Sequence, residues 1–270
     1  MSLEPLFNTL NHTNEPIIMG IINLTDDSFY DGGKSFDILD KQLTEFSDNN
    51  VAIIDIGAES TRPGAAPINA DEEIKRLTLG LSTIKNKSKA TISVDTYKPQ
   101  TAEFALNNGA EIINDISGGE SKEMLDIVAK HNAAIVIMHK QGSPQTMQKK
   151  PSYNNVVDEV KNYLSKQISL AKQAGINHVI VDPGIGFGKI LEHNLAILKS
   201  LDTFIDLGCP LLLGTSNKSF IGQLTGAAVD CRIPGSIASV LSGYQKGAKI
   251  FRVHNVFETK QALDVFKAVS

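Results

Sequence analysis

The sequence predicts a (β/α)8 barrel, a TIM barrel built as a single domain over residues 1–270, and three observations carry that expectation. A short apolar, β-branched run followed by an amphipathic stretch recurs along the chain, with no sequence repeat, linker or break in composition. The runs contain few polar residues, as strands buried on both faces of a parallel sheet do. Eight such units fit within 270 residues, which is normal for this barrel. A doubly wound open sheet is the alternative, because a miscount of one unit would lead to it.

Taken in order, Ile17–Ile22 is the first strand, and helical spacing of apolar residues follows over Asp37–Asn49. Ala52–Ile56 is paired with a helix over Asp71–Lys85, and Thr91–Val94 with Pro99–Asn108, where Pro99 sits early in the helix. Glu111–Ile113 precedes Lys122–Lys130, and Ala134–Met138 precedes Val156–Ala174. His178–Val181 precedes His193–Leu201, Pro210–Leu213 precedes Pro234–Gln245, and Lys249–Val253 precedes Thr259–Ala268. Gly109, Gly175 and Gly247 stand where three of these helices should stop.

Composition narrows the function classes. Hydrophobic residues make up 41% and charged residues 21%, which is enough apolar surface for a folded core. A net charge of −4 gives no electrostatic footprint for nucleic acid or an anionic membrane, although a local basic pocket is compatible with it. Cys209 and Cys231 are too few for a disulfide scaffold and have no metal-type spacing, so a reduced cytoplasmic compartment is expected. The acidic N-terminal segment lacks a signal-peptide pattern, and apolar runs such as 16–22 are far shorter than a membrane span.

Barrel enzymes place their chemistry at the C-terminal ends of the strands. Here those positions read Asn23; Glu59, Thr61 and Arg62; Asp95; Asn114 and Asp115; His139; Asp182; Ser216 and Lys218; Arg252 and His254. One such Asp is ordinarily a turn former or helix cap, whereas a full ring of polar ends points to a shared binding site. Asp95, Asn114 and Asp182 suit the donor–acceptor edge of a flat heterocycle, and Arg62, Lys218, Arg252 and His254 suit phosphate. A nucleotide-like or pterin-like ligand would satisfy both sets.

The segment Asp182-Pro-Gly-Ile-Gly-Phe-Gly-Lys189 resembles a phosphate loop but fails it: Pro183 replaces the first glycine and Ile190 replaces Ser/Thr. It also lacks dinucleotide-fold spacing, so its glycines are expected to let backbone approach a ligand. Segments 24–36 and 58–69 exceed the usual βα loop of about 2–6 residues and carry Gly32-Gly33 and Pro63-Gly64, which suggests lids that exclude water.

In combination, the motifs resemble those of dihydropteroate synthases. They comprise Met19-Gly-Ile-Ile-Asn-Leu-Thr-Asp-Asp-Ser-Phe29, Asp31-Gly-Gly33, Asp55-Ile-Gly-Ala-Glu-Ser-Thr-Arg-Pro-Gly64, Ile92-Ser-Val-Asp-Thr96 and Ile112-Ile-Asn-Asp-Ile116. Met138-His139, Gln141-Gly142, Thr146-Met-Gln148, Asp182–Lys189, Gly214-Thr-Ser-Asn-Lys-Ser219, Ile221-Gly222 and Arg252-Val-His254 complete the set. The resemblance implies a TIM-barrel enzyme of folate biosynthesis that is the target of sulfonamides. Such an enzyme joins 6-hydroxymethyl-7,8-dihydropterin diphosphate to 4-aminobenzoate with Mg²⁺. By motif position, Asp95, Asn114, Asp182 and Lys218 would hold the pterin, with Met138 and Gly214 lining its slot. Asn23 would help place Mg²⁺, and Arg62, Arg252 and His254 would take the diphosphate. Thr61, Pro63, Phe187, Ser216 and Lys218 would form the aminobenzoate end. Asp95, Asp182, Lys218 and Arg252 are the implied catalytic residues, and a homodimer through helices late in the barrel is implied as well.

Asn217, Asn255, Ala58 and Ile185 depart from the usual pattern of these enzymes. Asn217 removes a positive charge beside the aminobenzoate end, and Asn255 removes a carboxylate. Two other readings stay open: a pterin-dependent methyltransferase, and a homologue that binds pterin without turnover. The methyltransferase has no need for segment 61–64, Lys218 or the Arg252/His254 pair. His139 reads equally as a satisfied core histidine or a site residue, and His12, His131, His178 and His193 read as surface or packing residues.

Overall fold

The computed structural model describes residues 3–24, 34–59, 66–142, 146–147 and 150–270. Eight parallel strands alternate with helices. They are β1 (Ile17–Asn23), β2 (Ile53–Gly57), β3 (Thr91–Asp95), β4 (Ile112–Asp115), β5 (Ala134–Met138), β6 (His178–Asp182), β7 (Leu212–Leu213) and β8 (Ile250–Val253). The sheet runs β6-β5-β4-β3-β2-β1-β8-β7. A parallel bridge between Val181 and Leu211 joins its two ends, with the Val181 N–H donating to Pro210 O at 3.0 Å. The sheet is therefore a barrel, and the open-sheet alternative falls.

The helices are α1 (Glu4–His12), α2 (Lys34–Asp48), α3 (Ala70–Lys87), α4 (Pro99–Asn107), α5 (Lys122–Lys130) and α6 (Val156–Gln173). They continue with α7 (Leu191–Lys199), α8 (Ser219–Thr225), α9 (Ile233–Gln245) and α10 (Val256–Val269). Side-chain caps start three of them: Asn69 accepts from Glu72 N, Ser121 from Met124 N, and Asn155 from Val157 N and Asp158 N. Gly109, Gly175 and Gly247 end helices with positive φ, as expected. None of the described helices is long and apolar enough to cross a membrane.

Strand side chains alternate between two cores. Outward residues such as Ile18, Ile22, Ile54, Ile56, Val94 and Val181 pack beneath the helices. Inward residues Ile17, Met19, Ile53, Ile112, Ala134, Val136, Ile180, Leu212 and Ile250 fill the barrel. Leu3, just before α1, and Phe7 and Leu10 within it join this inner core at the N-terminal mouth, where the Phe7 ring lies 4.2 Å from that of His178. The barrel is plugged below, so its opposite mouth is the one available for a ligand.

Candidate active site

The inward alternation that buries Ile53, Ile112, Val136 and Ile180 continues up the same strands to Asp55 and Gly57, Asn114, Met138 and Asp182, and β3 adds Ser93 and Asp95. Register brings these levels together: Gly57 pairs with Asp95, Asp95 with Asn114, and Met138 with Asp182. The barrel interior thus changes from apolar to polar at one height.

A buried network occupies that height. Asp55, fully buried, accepts from Ser93 Oγ (2.6 Å), Asn114 Nδ2 (3.1 Å) and Arg252 Nε (2.6 Å). Arg252 also donates through its second nitrogen to Asp95 Oδ2 at 2.8 Å, so one guanidinium spans two carboxylates. Asp95 Oδ1 is buried with no hydrogen-bond partner, an acceptor left for a ligand donor. Burial pushes Asp95 up to about 7, Arg252 pulling against it and Asp55 adding to the rise. Asp182, also buried, accepts from Gly184 N at 2.7 Å, and burial raises its pKa.

Lys218 stands over the Phe187 ring, 4.1 Å from its centroid. Ser216 Oγ lies 3.0 Å from His254 Nδ1 and accepts from His254 N at 3.2 Å, joining the ends of β7 and β8. The backbone at Gly214 lies beside Asp182 and Arg252: a Cβ there would sit 3.9 Å from Asp182 Oδ2 and from Arg252 Cβ. Asn23 ends β1 next to Gly57, with an exposed side chain. The structure therefore gathers Asn23, Asp95, Asn114, Met138, Asp182, Phe187, Gly214, Ser216, Lys218, Arg252 and His254 around the C-terminal mouth. Thr61, Arg62 and Pro63 lie outside the described residues, as does most of both suggested lids.

Several details change the sequence reading. Gly184 and Gly188 have positive φ and approach the chain itself: added Cβ atoms would meet His139 O at 1.9 Å and Gln141 O at 2.4 Å. Of the three glycines in this loop, Gly186 is the one that faces a site side chain, Lys218, at 3.3 Å. Lys189 is buried, its Nζ 3.0 Å from His139 Nδ1 and donating to His139 O (3.2 Å), Gly184 O (2.9 Å) and Phe187 O (3.0 Å). Burial and Lys189 push His139 down to about 3, which makes it a neutral, satisfied histidine. Glu59 bonds Tyr97 and Lys98, and Lys98 in turn reaches Glu73. Asp115 accepts from Ser117 N and Gly119 N and so orients the turn after β4.

Asp55, Ser93 and Lys189 were not singled out as functional from the sequence. The signal for Asp55 was present, since a charge inside the run Ala52–Ile56 must be paired if that run is buried. Asn217 takes φ +58, a conformation Asn tolerates well. Its carbonyl accepts from Arg232 at 3.1 Å, so a positive charge still stands beside this turn.

Residues 19–254 match the family described as "Pterin binding enzyme". The chain belongs to this family of pterin-binding enzymes. It is 41% identical over 259 residues to the dihydropteroate synthase of Escherichia coli K12, covering 94% of this chain and 92% of that one. Among solved structures it resembles the Thermus thermophilus dihydropteroate synthase in complex with 4-aminobenzoate (39% identity, TM-score 0.87). The same enzyme in complex with 6HMPPP is also similar (37%, TM-score 0.83), and each match covers 95% of both chains. The Yersinia pestis dihydropteroate synthase in complex with a sulfonamide drug matches at 35% identity and TM-score 0.87 over 94% of both chains. Within the pterin-binding enzymes, this chain falls among the dihydropteroate synthases.

Proposed function

We propose that this chain joins 6-hydroxymethyl-7,8-dihydropterin diphosphate to 4-aminobenzoate, giving 7,8-dihydropteroate and pyrophosphate. The observation that carries this reading is the inward acidic floor: the unpaired Asp95 Oδ1 stands on the strand next to Asn114, and Asp95 and Asp182 both feel the cations Lys218 and Arg252. In this reading Asp95, Asn114 and Asp182 accept from and donate to the edge of the pterin ring, and Met138 lines its slot. Lys218 and Phe187 border the aminobenzoate, with Ser216. Thr61, Arg62 and Pro63 are assigned to the diphosphate and aminobenzoate ends by motif position alone.

The reaction breaks the C–O bond between the pterin methylene and diphosphate, the electron pair leaving with the diphosphate. The aryl nitrogen then forms the C–N bond and loses a proton to solvent. Positive charge developing on the pterin is opposed by the Asp95 and Asp182 carboxylates, and negative charge on the leaving group by Arg252 and His254. No protein nucleophile is required. Among the described residues, no three His, Cys, Asp or Glu side chains gather as a metal site. The exposed Asn23 amide oxygen at the mouth would serve as a ligand to Mg²⁺ held together with the diphosphate. When bound, that ion would neutralise charge on the diphosphate.

The test supplies both substrates and Mg²⁺ and follows pyrophosphate and dihydropteroate together. Both should form and both should stop on chelation, and Lys218→Ala should lower kcat/KM by about a hundredfold or more. Tight pterin binding without product would favour a non-catalytic homologue. We also read the chain as a homodimer through the late helices, where Leu224, Val229, Phe257, Val265 and Val269 are exposed. Sedimentation at the mass of one chain would end that reading.

A further inference from the structure

Lys189 is 2% exposed, closed in by backbone, and reaches no open surface of the mouth. Its nitrogen has four polar neighbours, three carbonyl oxygens and His139 Nδ1. An ammonium offers three protons, one for each carbonyl, whereas a neutral amine has only two. Burying an ammonium is costly, and burial pushes this one down to about 7, with the Asp182 carboxylate pulling it back and Lys218 opposing. A well-packed apolar side chain would serve stability as well or better, so the charge needs another explanation.

The explanation lies in which carbonyls it holds. Gly184 O and Phe187 O come from the two halves of the loop after β6, and His139 O from the end of β5. Drawing these oxygens to one atom turns the other face of the loop outward, toward the site. That face carries Gly184 N–H to Asp182 Oδ1 and places the Phe187 ring under Lys218. Asn194 Oδ1 braces the same loop from α7 by accepting from Gly186 N at 2.8 Å. Asn194 Nδ2 also donates to Lys189 O at 3.3 Å.

We propose that Lys189 is a positioning residue for the synthase reaction, an internal ammonium that locks the β6 loop against the end of β5 and so sets the Phe187 wall that receives the arylamine. This rests on the function proposed above. Lys189 itself touches no substrate. It acts through Phe187, so its loss should fall on one substrate more than the other.

The test compares wild type with Lys189→Met, which keeps the length of the side chain and removes its donors. Amide hydrogen exchange should accelerate by about tenfold or more at residues 184–188, with the β-strand amides unchanged. The KM for 4-aminobenzoate should rise by about tenfold or more, against less than about threefold for the pterin diphosphate. A role in stability alone would lower the active fraction and move neither KM. Should Lys189→Met not fold, His139→Leu removes the ring partner of Nζ and should move the same KM by about threefold. Unchanged loop exchange, or both KM values within about twofold of wild type in the folded variant, overturns the proposal. A wild-type chain that makes no dihydropteroate overturns the synthase reading and the catalytic role with it, while loop exchange still reports whether the lock exists.

Discussion

At the scale of single residues, Asp95 joins stability to function. Its carboxyl, normally near 3.8, is pushed up to about 7 by burial in the free protein. Between those values the folded chain holds a proton that the unfolded chain has released. The stability from this group is therefore full below about pH 4 and is lost as pH rises through about 7. Asp95→Asn removes that titration. It should raise Tm relative to wild type at pH 8 and leave it nearly unchanged at pH 4, while lowering dihydropteroate formation by about a hundredfold or more. A lower Tm at pH 8 would show instead that the Arg252 ion pair outweighs burial. The residues around Asp95 were legible unevenly. Asn114, Asp182 and Arg252 stand at strand ends, where a barrel places its chemistry. Asp55 lies one inward position deeper, and only closure of the barrel shows that Ser93, Asn114 and Arg252 all converge on it.

At the scale of elements, the strands and major helices follow the hydrophobic period closely, and α5 and β5 have the bounds the sequence predicts. The misses are elements whose order comes from packing. Helix α1 is nine residues long, and its stripe of Phe7 and Leu10, with Leu3 just before it, acquires meaning only against the barrel mouth. β7 shrinks to two residues, α8 was unforeseen, and short 3-10 turns occupy Leu201–Leu207 and Val229–Cys231. The glycine segment after β6 was recognised as special, but its purpose depends on a neighbour remote in sequence. Gly184→Ala and Gly175→Ala separate these causes. Both positions have positive φ, but a Cβ at 175 meets nothing within 4 Å, whereas at 184 it would collide with His139 O. Gly175→Ala should cost about 1 kcal/mol in urea denaturation. Gly184→Ala should cost about 3 kcal/mol or more and raise the KM for 4-aminobenzoate. Equal losses would mean that backbone strain alone sets the glycine requirement.

At the scale of the molecule, the barrel separates what holds it from what it does. Apolar inward residues and α1 fill the lower half, and every inward polar cluster described lies in the upper half. The period of the strands makes this division readable in outline, because alternating positions change from Ile to Asp, Asn or Arg along β2, β4, β6 and β8. The division can be tested from the lower end. Phe7 is 4% exposed and packs on His178 among the inner-core residues, at the opposite mouth from Asp95 and Lys218. Phe7→Ala should cost about 3–5 kcal/mol in chemical denaturation through the cavity it leaves. In the folded variant, kcat and both KM values should stay within about twofold of wild type, because rigid strands separate the plug from the polar network. A change in KM for either substrate would show that the plug transmits strain up the barrel. The polar upper half would then depend for its geometry on the apolar packing beneath it.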